Sequence, residues 1–177
     1  LKTDEEIELM RKSAKLAAEV LIMIEPYVKP GVTTNRLDEI CHDFIVSNGA
    51  VPSPLNYRGF PKSICSSINE EICHGIPSDR KLRNGDVVNL DITTYLNGFH
   101  GDTSRMFHVG SARKKMTKLV ETCKEALQSA IKLVKPGAHL GDIGATIQNI
   151  AEQRGFSVVR EFCGHGIGRS FHEDPQV

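Results

Sequence analysis

The sequence predicts an α+β fold made of two similar helix–helix–strand units. Val28-Lys-Pro-Gly31 recurs as Val134-Lys-Pro-Gly137, 106 residues later. Apolar residues repeat at helical spacing before and after each copy, and strand-forming runs follow the second helical stretch of the first unit. A repeat of this kind indicates two related structural units.

The first unit is expected to pass through two helices into strands. Thr3, Asp4, Glu5 and Glu6 form a capping-box pattern at the start of an apolar stripe. The Pro-Gly turn then precedes a second helix. We expect this helix over about Thr34–Asn48, and strands near Ser63–Asn69, Asp86–Leu96 and Phe99–Val109.

The second unit repeats the helices but has far fewer residues after them. Helices are expected over about Lys114–Val134 and Leu140–Arg154, and a strand over Phe156–Phe162. About 60 residues follow Gly49 within the first unit, whereas only about 22 follow Gly155. We therefore expect a single domain, 1–177, with a first half of about 1–110 and an incomplete second half of about 111–177.

A predicted β-hairpin brings two aspartates to one face of the sheet. Asn97-Gly98 between two β-prone runs is typical of a two-residue type I′ turn. Such a turn places Asp91 opposite Ser104 and Asp102 opposite Thr93. Period-2 alternation then makes the aspartates diagonal neighbours, with Cα atoms about 7–8 Å apart. The pair is a candidate metal site, and a solvated polar face is the alternative.

A glycine-rich loop near the end of the sequence carries two histidines, His165 and His172. Its glycines resemble a phosphate-binding loop, but the strand–turn–helix context is missing, which argues against nucleotide binding. A histidine flanked by glycines is less typical of a structural, hydrogen-bonded role. With Asp91 and Asp102, His165 gives a mixed oxygen and nitrogen donor set suited to Mn, Fe, Co or Zn.

Composition favours a cytosolic globular protein. Lysine plus arginine equals aspartate plus glutamate at 22 each, so charge gives no case for nucleic acid or an anionic membrane as partner. The five cysteines are scattered without close Cys-x-x-Cys pairs, which is typical of reduced thiols. The sequence opens at Leu1 with no visible targeting segment, which leaves a removed organellar presequence open.

Several short motifs occur together along the chain. They are Lys62-Ser-Ile-Cys65, Cys73-His-Gly-Ile-Pro77, Gly101-Asp-Thr-Ser104, Gly164-His-Gly-Ile-Gly-Arg169 and Phe171-His-Glu173, with Asp91 and Asp102 at matching spacing. From about Thr3 to Val177 the sequence resembles the type I methionine aminopeptidases. The resemblance implies the pita-bread fold, in which two pseudo-symmetric halves surround a curved antiparallel sheet, here as a single catalytic domain with its second half truncated.

The resemblance also implies a metal site and a reaction. The cofactors would be two divalent ions, drawn from Co, Mn, Fe, Zn and Ni, with Asp91, Asp102 and His165 as ligands and Asp102 bridging. Two further glutamate ligands are expected beyond Val177. The implied activity is removal of the N-terminal methionine from nascent proteins when the second residue is small, by attack of a metal-bridging hydroxide on the first peptide bond.

Catalytic and pocket residues follow from the same resemblance. His172 would stabilise the developing oxyanion, and His74 would contact the bound substrate across from it. The implied partners are peptides with N-terminal methionine and the ribosome exit region, with no membrane or specific nucleic acid, and the implied state is a monomer. Positions that match the methionine pocket are Tyr57, Phe60, Cys65 and Phe171.

Three alternatives and one rival ligand remain at this point. A proline-specific peptidase of the same fold shares the aspartate spacing, but commonly carries an N-terminal domain, and Cys73-His-Gly-Ile-Pro77 favours the type I aminopeptidase. A non-catalytic module would typically have lost the metal ligands. An incomplete chain would be inactive although its full-length parent is an enzyme. His100 shares the face of Asp102 and is a rival ligand on geometry.

Overall fold

The computed structural model describes every residue from Leu1 to Val177 and contains two compact units. The first unit comprises Leu1–Ala112 and Ile167–Phe171, and the second comprises Arg113–Gly166 and His172–Val177. No helix combines the length and apolar character needed to cross a membrane.

The first unit contains two helices and four strands. The capping box at its start is confirmed, because the Glu6 amide donates to Thr3 Oγ1 (3.2 Å) and the Thr3 amide donates to Glu6 Oε2 (2.9 Å). The elements are α1 (Asp4–Ile24), α2 (Thr34–Ser47), β1 (Val51–Pro52), β2 (Cys65–Ile68), β3 (Val87–Leu96) and β4 (Phe99–His108), with short 3-10 turns at Glu25–Tyr27 and Tyr57–Gly59.

The four strands form one antiparallel sheet around β3. Both β1 and β2 pair with one edge of β3, and β4 pairs with its other edge. The predicted hairpin register is confirmed over its whole length, with Asp91 opposite Ser104 and Thr93 opposite Asp102. Asn97 and Gly98 have φ values of 54° and 86°, as a type I′ turn requires.

The core of the first unit lies between its helices and one face of the sheet. The fully buried side chains there include Ile24, Leu37, Ile45, Leu90 and Ile92. A polar link crosses the same interface: Ser13 Oγ donates to the Thr94 carbonyl (3.0 Å), and Thr94 Oγ1 donates to the Ser13 carbonyl (2.9 Å). The apolar face of the hairpin is therefore covered by α1, which leaves the aspartate face on the other side.

The second unit repeats the helices of the first. It contains α3 (Lys114–Ile131), α4 (Leu140–Gln153) and a short pair of strands, β5 (His165–Gly166) and β6 (Glu173–Gln176). Both α2 and α4 have 14 residues, and α4 begins and ends 106 residues after α2. Burial differs between the copies, because α2 has five buried residues and α4 has none.

The strand expected over Phe156–Phe162 is wrong. These residues have no regular secondary structure, and Val159 and Phe162 are 44% and 54% exposed. A strand needs a neighbouring strand to pair its backbone groups. Here the ladder partners are instead β5 and β6, which pair with each other. The apolar run at Phe156–Phe162 therefore has no neighbouring strand to pair with. A local sequence pattern cannot predict whether such a neighbour exists.

Gly101 allows the hairpin to lie close against α1. A Cβ atom at Gly101 would overlap the backbone of Ser13 and Ala14. Since Gly101 is next to Asp102, this close approach fixes the distance between α1 and the strand that carries Asp102 on its other face.

We expect Gly101→Ala to lower the free energy of unfolding by about 1–3 kcal/mol, because the methyl group forces α1 away from β4. The matched control is Gly144→Ala, in the interior of α4, where the Cβ meets nothing within 4 Å. This control should raise stability by about 0.5–1 kcal/mol. Denaturant unfolding measures both, and equal effects of the two substitutions would contradict the packing argument.

Candidate active site

The two predicted aspartates come together on the polar face of the hairpin. Asp91 lies opposite Ser104 on β3, and Asp102 lies opposite Thr93 on β4, so the aspartates are diagonal neighbours. Their carboxyl groups share a hydrogen bond. Asp91 is half-buried and Asp102 is exposed. The register alone therefore brings two oxygen ligands to one place.

Burial and mutual repulsion make this carboxyl pair costly to ionise. The pKa of Asp91 is raised above its ordinary value, first by burial, then by the charge of Asp102 and by the hydrogen bond to it. Every contribution acts in the same direction, and none comes from a cation. A proton on Asp91 or a positive charge beside it therefore relieves the repulsion.

Cys65 lies directly across from Asp91 in the β2–β3 ladder. Its thiol is buried, and burial raises its pKa to about 12, with further increases from Asp91 and Asp102. Cys65 is therefore a neutral thiol beside the carboxyl pair. A neutral thiol is a small, polarisable wall residue and not a thiolate ligand.

In the second unit, the two predicted histidines lie beside each other. The rings of His165 and His172 have centroids 4.2 Å apart. His165 Nδ1 lies 2.9 Å from the Gly166 carbonyl oxygen. Because a carbonyl only accepts, Nδ1 donates in this contact, and in the neutral ring Nε2 then keeps its lone pair. This is the tautomer in which a histidine binds a metal through Nε2.

Two of the predicted pocket residues form an aromatic cluster in the first unit. The rings of Tyr57 and Phe171 are 4.9 Å apart, and Phe171 also stacks on His100 at 5.4 Å and 15°. Phe60 ends the turn that begins at Tyr57, and its amide donates to the Tyr57 carbonyl (3.0 Å). Tyr57 therefore shares a turn with Phe60 and a ring cluster with Phe171, which connects three of the four predicted pocket residues.

The side chain of His100, the rival ligand, is held by a hydrogen bond and by contacts with aromatic rings. Its Nδ1 lies 2.8 Å from Ser53 Oγ, and its ring packs against both Tyr95 and Phe171. These contacts hold the ring within the aromatic cluster. Local sequence patterns do not reveal the Ser53 contact, because 47 residues separate the partners.

His74 lies in the loop after β2 and is exposed. Its φ of 56° is unusual for a residue other than glycine. The next residue is pinned to β2, since the Ser66 amide donates to the Gly75 carbonyl (2.8 Å) and the Gly75 amide donates to Ser67 Oγ (3.1 Å). Outliers of this kind cluster at functional sites.

The donor chemistry of the carboxyl pair fits divalent metal ions. Asp91 and Asp102 present oxygen atoms on one face with no cation acting on Asp91, so a metal ion would relieve their repulsion. No group of three or more histidine, cysteine, aspartate or glutamate side chains that could hold a metal ion occurs in the structure. The fit therefore rests on the carboxyl pair.

Comparison with known proteins places these features in a family. The model of metallopeptidase family M24 matches residues 8–177. A methionine aminopeptidase of Escherichia coli K12 is 58% identical over 179 residues, which cover 100% of this chain and 68% of that relative. A methionine aminopeptidase of Rickettsia prowazekii is 53% identical over 175 residues, covering 99% of this chain and 68% of that relative.

Solved structures agree with the sequence comparison. The crystal structure of the Rickettsia prowazekii methionine aminopeptidase matches with a TM-score of 0.98 and 53% identity, over 99% of this chain and 71% of that chain. A prolidase from Pyrococcus furiosus matches with a TM-score of 0.86 and 23% identity, over 99% of this chain and 51% of that chain. The likeness to the prolidase shows a shared fold alone.

The carboxyl pair predicts a pH dependence of stability in metal-free protein. A raised pKa in the folded state means that the folded protein binds more protons than the unfolded chain above the ordinary carboxyl pKa of about 4. The free energy of unfolding should therefore fall as pH rises from about 4 towards neutrality. Asp91→Asn should remove more than about 1 kcal/mol of this change, measured by denaturant unfolding after chelation.

The control for this experiment is Asp43→Asn, which changes an exposed aspartate on α2. It should keep the pH dependence of the parent. A parent and an Asp91→Asn variant with the same pH dependence would contradict the raised pKa of Asp91.

Proposed function

The chain belongs to the methionine aminopeptidases of metallopeptidase family M24 and has their pita-bread fold; on this premise we propose that it removes N-terminal methionine from nascent proteins whose second residue is small. The observation that carries this proposal is the close carboxyl pair of half-buried Asp91 and exposed Asp102, which has oxygen donors on one face and no cation acting on Asp91. The relatives at 53–58% identity favour this activity over that of a prolidase, which is 23% identical.

The residues that we propose would hold two divalent ions are Asp91, Asp102 and His165. Carboxylate oxygens and an imidazole nitrogen suit Co, Mn, Fe, Zn or Ni. When bound, such ions lower the pKa of water and polarise a carbonyl group. The chain supplies the orientation: β3 and β4 fix the two carboxyl groups, and the Gly166 carbonyl holds His165 with Nε2 available.

His172 and His74 are proposed to act on the substrate. His172 would donate to the carbonyl oxygen of the first peptide bond as negative charge develops there. Its ring lies against that of His165, so the proposed donor and the proposed ligand are neighbours. His74 would contact the substrate from the loop after β2, where the pinned Gly75 limits its movement.

The proposed methionine pocket uses Tyr57, Phe60, Cys65 and Phe171. The ring contact between Tyr57 and Phe171 provides an apolar wall, and the neutral Cys65 thiol provides a polarisable surface near Asp91. A thioether side chain packs well against aromatic rings and sulfur. A small apolar pocket of this kind would select methionine by size and polarisability.

The proposal includes the cellular setting. All five cysteines are free, and Cys123 and Cys163 are exposed, which is typical of a reducing compartment. The free cysteines support our proposal of a cytoplasmic enzyme. The family resemblance adds the proposal that it acts as a monomer on chains leaving the ribosome. Because acidic and basic residues are equal in number, the net charge gives no support to a nucleic-acid partner.

Release of methionine from a Met-Ala-Ser peptide tests the proposed activity. Chelated protein is supplied with Co(II) or Mn(II), as the chain 1–177 and as a chimera that continues with the segment of the Escherichia coli relative beyond the match. We expect metal-dependent release by the chimera, because the family resemblance implies two further glutamate ligands in that segment. Asp102→Ala should abolish release and exposed Asp43→Ala should not. No release by either protein despite bound metal would overturn the proposal.

The pocket makes a separate prediction. Phe171→Ala removes the ring that contacts Tyr57, so kcat/KM for the methionine peptide should fall by about 10- to 100-fold. Phe171→Leu keeps most of the apolar volume and should lose less than about tenfold. Steady-state kinetics of both variants decide the matter, and equal losses would argue against a role of the ring in methionine binding.

A further inference from the structure

A short segment between the two proposed active-site histidines makes three contacts with the rest of the first unit. This segment, Ile167–Phe171, is called the strap here. It belongs to the first unit, and along the chain it lies between His165, two residues before it, and His172, directly after it. Its fastenings are a backbone hydrogen bond at Gly168, the side chain of Arg169 and the ring of Phe171.

The first fastening uses the free edge of the hairpin. In a two-residue hairpin, the pair next to the turn is hydrogen-bonded, and bonding alternates from there along the ladder. The amide of His100 therefore points away from β3. It donates instead to the Gly168 carbonyl in the strap (2.8 Å). The amide of Thr103, opposite Ile92, points into the ladder.

The second fastening is the Arg169 side chain. Its guanidinium carbon lies 4.5 Å above the centre of the Phe99 ring, and Nη2 donates to Glu6 Oε1 (3.0 Å). The other oxygen of Glu6 accepts from the Thr3 amide (2.9 Å), so the carboxylate is already fixed by the start of α1. Arg169 therefore bridges the strap to both the hairpin and the helix, although 163 residues separate it from Glu6.

Arg169 has no role in the proposed chemistry, and its contacts are directional. The cation–π contact with Phe99 fixes the plane of the guanidinium, and the charge-assisted hydrogen bond to Glu6 fixes its position. The strap is only five residues long, so its attachment restricts the path of the chain at both ends.

We propose that Arg169 is a positioning residue: through Phe99 and Glu6 it holds the strap on the hairpin and so fixes the chain at His165 and His172. This inference rests on the proposed function for its catalytic consequence, whereas the attachment itself is independent of activity. Arg169 acts through Glu6 and Phe99, so its effect on turnover would be indirect.

Amide hydrogen exchange tests the attachment on the whole chain. In Arg169→Ala the His100 amide should exchange about tenfold faster, because its partner Gly168 is released more often. The Thr103 amide should keep its parent rate. Arg169→Lys keeps the charge but loses the planar stack, so its His100 rate should lie between those of the parent and Arg169→Ala.

Glu6→Gln gives an independent variant with a matched control. Glutamine still completes the capping box with Thr3 but cannot form the ion pair with Arg169. Its His100 amide should also exchange faster than in the parent, whereas Glu5→Gln, one residue away in the same helical turn, should leave the rate unchanged. The melting temperature of each variant identifies any general loss of stability.

The catalytic consequence is measured on the same proteins in whichever form the activity assay finds to be active. Arg169→Ala and Glu6→Gln should lower kcat by about tenfold or more, since small displacements of catalytic groups are costly. Unchanged exchange at His100, or equal acceleration at His100 and Thr103, would overturn the positioning role. Faster exchange at His100 with parent kcat would also overturn it. An inactive parent would contradict the proposed function while the exchange result still decides the attachment.

Discussion

The β3–β4 hairpin is the constraint on which the rest of the first unit depends. Its turn at Asn97-Gly98 sets the register, and the register sets which side chains share a face. A slip of one strand by one residue would place Asp91 and Asp102 on opposite faces of the hairpin, and one of them would enter the core. The packing of α1 prevents this slip, because it buries the apolar face and meets the hairpin backbone at Gly101.

The scaffold holds the carboxyl pair in an unfavourable electrostatic state. Burial of Asp91 and its closeness to Asp102 both disfavour the ionised form. A surface pair would separate by rotating into solvent, whereas this pair is fixed by paired strands on a packed helix. The cost is offset by the apolar core beneath it. Sites that bind cations commonly show such stored repulsion, which is relieved when the cation arrives.

The internal repeat keeps the helices but changes their surroundings. Helices α2 and α4 correspond residue for residue, yet Leu37 and Cys41 are fully buried while the matching Ile143 and Ile147 are partly exposed. Helical spacing depends on the local chain, so it is preserved in both copies. Burial depends on what packs against the helix, and the first unit provides a four-stranded sheet for this purpose.

Local patterns determined much of this protein from sequence alone. The capping box at Thr3, the bounds of α2 and α4 to within one residue, and the hairpin register were all predicted, because each depends on neighbouring residues or on one turn. The family followed from short motifs. Tertiary structure alone decided the contacts between distant residues. The absent strand at Phe156–Phe162, the Ser53–His100 hydrogen bond and the Arg169–Glu6 bridge all depend on which segments meet in space. Periodicity reports which face of an element is apolar, but it carries no information about the partner that the face or the backbone will find.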